Sequence, residues 1–348
     1  MGAMRLAQLQ ALADGAEPLV WQGVPVPAPA PGELLVLVLA CGVCHTELDE
    51  IEGRTAPPRL PVTPGHQIVG RVAALGDGVD AARLGERVGI GWIHHSSGGP
   101  DENVSPQFCA TGRDVDGGYA PFVTVPAAYA FAIPERFGDA EAAPLLCAGA
   151  VGYRALRLCN LRDGEPLGFT GFGASAHLVL QFAKHLYPRS PLAVFARNAA
   201  DREFALRLGA TWVGDTGDRP PVPLAAIIDT TPAWRPVVAA LANLRPGGRL
   251  VINAIRKQCD DQQELLRLSY HEHLWLEREL KTVANVTGAD VRECLELAGR
   301  AGIVPTVTTY PLRDANRALC DLWRGEGHGA KVLVRSRDEE PPIGPQAR

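Results

Sequence analysis

The chain has 348 residues, a formal net charge of -5 and 46% hydrophobic residues. At about 150 residues per domain this length implies two domains, each with enough apolar residues for its own core. The acidic balance and the absence of a basic cluster argue against a nucleic-acid partner.

The N-terminal stretch MGAMRLAQLQ lacks the apolar segment of a signal peptide. The first strongly apolar run, LLVLVLA from Leu34 to Ala40, is far shorter than the roughly 20 residues of a membrane helix. A cytoplasmic protein with no membrane partner is expected. The eight cysteines are scattered along the chain and do not form the pattern of a disulfide framework.

The first half carries short β-like runs: ELLVLVLA (Glu33 to Ala40), QIVGRVAAL (Gln67 to Leu75) and AYAFAIP (Ala128 to Pro134). Turn sequences such as PAPAPGE and GDGVD separate them, so this half reads as mostly β. The texture changes after Cys147. EPLGFTGFGASAHLVLQFAKHLYP holds a strand, a glycine turn and a helix, and PLAVFA, AADREFALRLGA, LAAIIDTT, RPVVAALANL and GGRLVINAI continue the alternation. Short connections between strands and helices predict βαβ units, a parallel sheet and an α/β fold class. Beyond Asp290 come a helix in VRECLELAGRAG, a β-like VPTVTTYPL, a helix in ANRALCDLWRG and a strand in AKVLVR. The charged, Pro-rich tail SRDEEPPIGPQAR is expected to be disordered.

The turn GFGASA follows a strand and opens a helix, the context of a dinucleotide site. Gly171 permits the tight turn, Gly173 lets the backbone approach a pyrophosphate, and Ala176 stands where a third glycine would allow close packing. A tight turn without a ligand has the same local sequence. An NAD site places an acidic residue about 20 positions further on. Here that position is Ala196, followed by Arg197 and Asn198. A small residue removes the carboxylate that would repel a 2′-phosphate, and a guanidinium pairs with one, so NADP is expected over NAD.

The stretch CGVCHTELD, Cys41 to Asp49, allows three readings: a zinc knuckle, a redox dithiol, or one corner of a catalytic metal site. Two further places bear on it, His66 in PGHQIVG and Cys147 in PLLCAGAVGYRAL. Together with RLPVTPGHQIVGRVAALGDGV, DVDGGYA, GFGASAH, LRLGA and RPGGRLVINA, the chain resembles the zinc-dependent alcohol dehydrogenases of the medium-chain dehydrogenase/reductase superfamily. The resemblance runs from about residue 5 to about residue 335.

It implies a mostly-β, GroES-like catalytic domain in two segments, 1–150 and 290–335, and a Rossmann-type doubly wound domain over 151–289, with the active site in the cleft. It implies Cys44, His66 and Cys147 as ligands of one catalytic Zn²⁺, with a fourth position for substrate or water, and leaves Cys41 out. Thr46 takes the family's substrate-facing hydroxyl, and His45 a position near the cofactor phosphates. Ala254 is expected at the cofactor, and Trp92 either lines the substrate pocket or is a core aromatic.

Three departures stand out. The family's four-cysteine structural lobe would fall in GWIHHSSGGPDENVSPQFCATGRDVDGGY, where Ser97 and Ser105 replace the outer cysteines and Cys109 stands alone. No structural zinc is expected there, and His94 and His95 are expected in an exposed loop. Gln67 replaces the usual Glu after the ligand histidine. Asp49 stands where many members carry a proton-relay histidine. His271 and His273 receive no role. The expected activity is reduction of an aldehyde or oxidation of an alcohol with NADP, by a homodimer or homotetramer paired through the strand RLVINAI. A zinc-free quinone or enoyl-type reductase, a non-catalytic dinucleotide-binding protein and a zinc-ribbon nucleic-acid binder are the alternatives.

Overall fold

The computed structural model describes residues 1–335, so the expectation for the tail from Ser336 lies outside the described residues. The chain divides into two compact units. The first comprises Met1–Cys147, Thr287–Leu295 and the chain from Thr306, and the second comprises Ala148–Val286 and Glu296–Pro305. No described helix is long and apolar enough to cross a membrane.

The first unit is built on a seven-stranded sheet. Its long strand β1 (Glu33–Val43) runs ELLVLVLACGV and is buried along most of its length, which marks it as the centre of the sheet. It pairs antiparallel with β2 (Ile68–Leu75), with Ala330–Val334 and with Phe122–Pro126. The chain leaves β1 directly into the short helix α1 (His45–Ile51). Because Cys41 pairs with Ile68, the residues just after β1 and just before β2 share one end of the sheet. The turn Ala143–Leu146 packs on the neighbouring strand Arg87–Ile90, where a Cβ at Gly89 would sit 2.6 Å from a methyl of Leu146. Glycine there lets this turn lie against the sheet and carry Cys147 toward the same end.

The second unit begins with helix α2 (Ala148–Leu158). It continues through β3 (Leu167–Thr170), α3 (Ala174–Leu186), β4 (Leu192–Phe195), α4 (Ala199–Leu208), β5 (Trp212–Gly214), β6 (Leu224–Asp229), α5 (Arg235–Ala242), β7 (Leu244–Ile252) and β8 (Glu279–Thr282). The six strands are parallel, in the order β5-β4-β3-β6-β7-β8. β3, β4 and β6 are buried at every residue, as strands covered on both faces must be. Phe195, Leu224, Ile227, Val237, Leu241, Leu250 and Ile252 form a core on one face, and Gly209 ends α4 in the left-handed conformation. The chain winds outward from β3 to β5, then returns to β6 and winds the other way. The direction of winding therefore reverses between β3 and β6, and in such sheets that point is where ligands bind.

One expectation is corrected here. The strand part of RLVINAI, Arg249 to Ile252, lies in β7, which is bonded to β6 on one side and β8 on the other, so it is no free edge. The edge strand on that side is β8, and all four of its residues are exposed.

Candidate metal centre and glycine turn

Cys44, His66 and Cys147 converge in the first unit. Their ligand atoms lie within 4.8 Å of one another, the one such group of three among the described residues. His66 Nε2 is 3.2 Å from Cys147 Sγ. His66 is buried, while the two cysteines are partly exposed. Each residue is placed by its element. Cys44 is the N-cap of α1, His66 precedes β2, and Cys147 follows the turn Ala143–Leu146.

A residue that the sequence reading passed over completes the arrangement. Glu47, on the first turn of α1, is fully buried. Its Oε2 accepts the backbone N–H of Cys44 at 2.7 Å, and its Oε1 lies 2.7 Å from His66 Nδ1. A carboxylate beside Nδ1 keeps a proton on that nitrogen, so Nε2, which faces Cys147 Sγ, is the nitrogen that would ligate a metal. The signal was present as the spacing C-x-x-E at a helix start, the pattern of a capping box.

The electrostatics follow from this crowding. The hydrogen bond shared with Cys147 pulls the Cys44 thiol well below its usual range, and pushes the Cys147 thiol well above its own. Burial pushes the His66 imidazolium down, but the Glu47 carboxylate and Cys44 outweigh it and hold the group well above its ordinary range. Two sulfurs and one imidazole nitrogen suit Zn²⁺, whose tetrahedron with such ligands has edges of about 3.5–3.8 Å. The donor set and its spacing fit that ion with one corner left over. A buried divalent cation would drive both cysteines to thiolates.

The neighbours divide by role. Cys41 lies outside the group. It is buried on β1, where burial pushes its thiol well up, and no metal cluster among the described residues includes it. Thr46 is buried, with its Oγ1 3.5 Å from Cys44 Sγ, and His45 beside it is exposed. The Trp92 ring lies 6.0 Å from the His66 ring and 5.7 Å from Phe108, with the Arg113 guanidinium 5.8 Å away. Gln67 is buried with its amide folded over Gly42. Asp49 is buried, and its Oδ1 accepts from both Nε and Nη2 of Arg54, at 2.9 Å and 2.7 Å. That guanidinium holds one of the two carboxylate oxygens.

The region of the absent cysteine lobe differs from expectation in one respect. His94 is buried, on the strand Ile93–His95, and burial lowers its imidazolium to about 4. His95 is exposed. The strand pairs with Cys109–Ala110 through Ile93 and His95, with an irregularity at His94 between them. His273 is buried with its Nδ1 2.9 Å from the Ser269 N–H, and His271 is exposed.

In the second unit the glycine turn lies at the reversal of winding. Gly171 has φ +78, a left-handed conformation, and a Cβ there would meet Thr230 Oγ1 at 2.9 Å. Gly173 is the N-cap of α3 and its Cα faces open space. Ala176 is fully buried within α3. Around the end of β4, Ala196 is buried and Arg197 exposed, while the Asn198 side chain caps α4 by accepting from Ala200 N at 2.9 Å. Arg202 Nη1 donates to the carbonyls of Ala196 at 2.6 Å and Arg197 at 3.0 Å. This second guanidinium holds the segment and was not singled out in the sequence. Ala254 packs against the core of the sheet just after β7.

Comparison with known proteins agrees with this architecture. The family described as "Alcohol dehydrogenase GroES-like domain" matches residues 30–135. "Probable alcohol dehydrogenase AdhA" of Mycobacterium tuberculosis is 45% identical over 345 residues, covering 96% of this chain and 97% of its own. An alcohol dehydrogenase of Geobacillus stearothermophilus is 31% identical over 331 residues, covering 90% and 94%. Among solved structures, a cinnamyl alcohol dehydrogenase from Sorghum bicolor superposes with a TM-score of 0.82 over 98% of this chain and 99% of that one, at 24% identity.

Proposed function

The chain belongs to the zinc-type alcohol dehydrogenases of the medium-chain dehydrogenase/reductase superfamily, and on that premise we propose that it transfers hydride between NADPH and an aldehyde, and in reverse between a primary alcohol and NADP. In this reading the first unit is the catalytic domain and the second the dinucleotide-binding domain. The observation that carries it is the convergence of Cys44, His66 and Cys147 with Glu47 behind the imidazole.

Cys44, His66 and Cys147 are the residues assigned to hold one zinc ion. Zinc bound there supplies a Lewis acid for the substrate oxygen, and the dinucleotide supplies the hydride. Glu47 orients His66 and fixes its tautomer. Thr46 Oγ1 is assigned to take the proton of the substrate hydroxyl and pass it to water, while Arg54 holds Asp49 through its Oδ1. Trp92 borders His66 and is assigned to the wall that meets the substrate. His45, exposed on the first turn of α1, is assigned to the cofactor phosphates.

Gly171, Gly173 and Ala176 form the pyrophosphate turn, with the phosphates on the N-terminus of α3. The absence of a carboxylate at Ala196 and the exposed guanidinium of Arg197 support the 2′-phosphate of NADP, with the free amide of Asn198 beside it and Ala254 near the nicotinamide end. A homodimer is proposed through the exposed edge β8, flanked by exposed Tyr270, Trp275 and Leu276.

Following NADPH oxidation over a panel of aldehydes, in the native chain and in Arg197→Asp, tests this reading. The native chain should turn over with NADPH better than with NADH, and the variant should lose that preference by about tenfold or more, since a carboxylate then faces the 2′-phosphate. No turnover with either nucleotide sinks the activity. An unchanged preference in the variant sinks the NADP assignment.

A further inference from the structure

A buried ion pair sits where the winding of the second unit reverses, and nothing above assigns it a role. Asp229, the last residue of β6, is fully buried. Lys257, in the segment after β7, has a side chain only 9% exposed. Its Nζ donates to Asp229 Oδ2, to the carbonyl of Thr231 at 2.7 Å and to that of Ala233 at 3.1 Å. An ammonium has three N–H donors, and all three are used inside the protein. Lys257 therefore has no proton left to give a ligand, and its work is to hold what surrounds it.

What it holds leads to the glycine turn. Asp229 Oδ1 accepts from the hydroxyls of Thr170, the last residue of β3, and of Thr231, the latter at 2.8 Å. Thr230 reaches back to the carbonyl of Thr170 through its N–H at 3.0 Å and its Oγ1 at 2.9 Å. Gly171 leans on the same two threonines, for a Cβ there would lie 2.9 Å from Thr230 Oγ1 and 3.0 Å from Thr231 Cγ2. The segments after β6 and β7 are joined again by Asn253 N to Asp229 O and Gln258 N to Pro232 O, both at 2.7 Å. The three chain segments that leave the carboxyl ends of β3, β6 and β7 thus meet on one carboxylate and one ammonium.

A pair buried this deeply is weak as a source of stability, because desolvation offsets much of the attraction, and its better-attested use is to specify one arrangement. We infer that Lys257 and Asp229 are positioning residues for the dinucleotide: they lock the segment Thr230–Ala233 against Gly171 and so preorganise the turn that receives the pyrophosphate. This rests on the dinucleotide reading of the second unit. Preorganisation acts on binding, since a loop already ordered loses less freedom when the ligand arrives.

The test is fluorescence titration of the full-length, zinc-loaded chain with NADPH, alongside thermal unfolding. Lys257→Met keeps the aliphatic stem but removes the charge and all three donors. Asp229→Asn combined with Lys257→Met removes both charges, so no buried charge is left unpaired. A positioning role predicts NADPH binding about tenfold weaker in both variants, a typical size for residues that act without touching the ligand. The single variant should also unfold at lower temperature, and the double variant should recover that temperature without recovering affinity. Zinc content should be unchanged in both. If Lys257→Met does not fold, the double variant carries the test. Native affinity in the double variant, or affinity that returns together with thermal stability, overturns the inference. If the native chain binds neither NADPH nor NADH, the dinucleotide reading fails and takes the inference with it.

Discussion

Glu47→Gln is the substitution that separates the support of the metal centre from its ligands. The carboxylate accepts the N–H of Cys44 at 2.7 Å and places its other oxygen 2.7 Å from His66 Nδ1. Glutamine has the same shape but one oxygen and one NH₂. If its oxygen stays on Cys44, the NH₂ faces Nδ1 and drives the ring proton to Nε2, the atom that must ligate. If its oxygen turns to His66, the NH₂ meets the Cys44 N–H instead. Either way one charge-assisted hydrogen bond in a fully buried place is lost, about 1.5–3 kcal/mol. Converted to metal affinity this is about 10- to 100-fold, the range seen when an outer partner of a ligating histidine is removed. Competition with a chromophoric chelator measures it, and thermal unfolding of the metal-free protein controls for misfolding. A zinc affinity within about threefold of the native value would refute the reasoning, because it would mean that Glu47 caps the helix and does nothing for the imidazole.

Two further outcomes follow from particular contacts. Asp49→Asn should lower Tm by about 2–4 °C, since the Arg54 pair is partly solvent-exposed and worth about 1 kcal/mol, and should leave the pH profile of kcat unmoved; a displaced profile would make Asp49 a proton carrier after all. Light scattering should give twice the chain mass for the native protein and a lower mass for Leu280→Glu, which places a charge in the middle of β8; a native monomer, or a variant that stays dimeric, excludes that edge as the interface.

The fold was legible wherever a strand or helix carried its own period. β3, β4 and β6 are short continuous apolar runs between turn residues, and α4 and α5 show helical spacing. β5 and β8 were not visible, because strands of three or four residues, mostly exposed or half-exposed, have no pattern to read. The placing of RLVINAI at an edge failed for a related reason. An apolar strand looks the same in sequence whether its partner is in the same chain or in another, and here β8 supplies the second neighbour.

The metal group was legible only as a set, since Cys44, His66 and Cys147 are ordinary residues one at a time and meet through the β1–β2 register and the turn before Cys147. Glu47 and Lys257 were missed because their roles depend on what tertiary packing brings opposite them. His94 was misplaced outside because the run HHSSGG reads as a turn, whereas Ile93–His95 forms a strand that pairs with Cys109–Ala110.

The central claim is that these three residues hold one metal ion. Zinc per chain, measured by elemental analysis on protein purified without chelator, tests it most directly, with Cys147→Ala measured beside it. The account predicts about one zinc in the native chain and almost none in the variant, whose remaining two protein ligands fall short of the three that a catalytic site keeps. A native chain without zinc, or a variant that keeps its zinc, would contradict it.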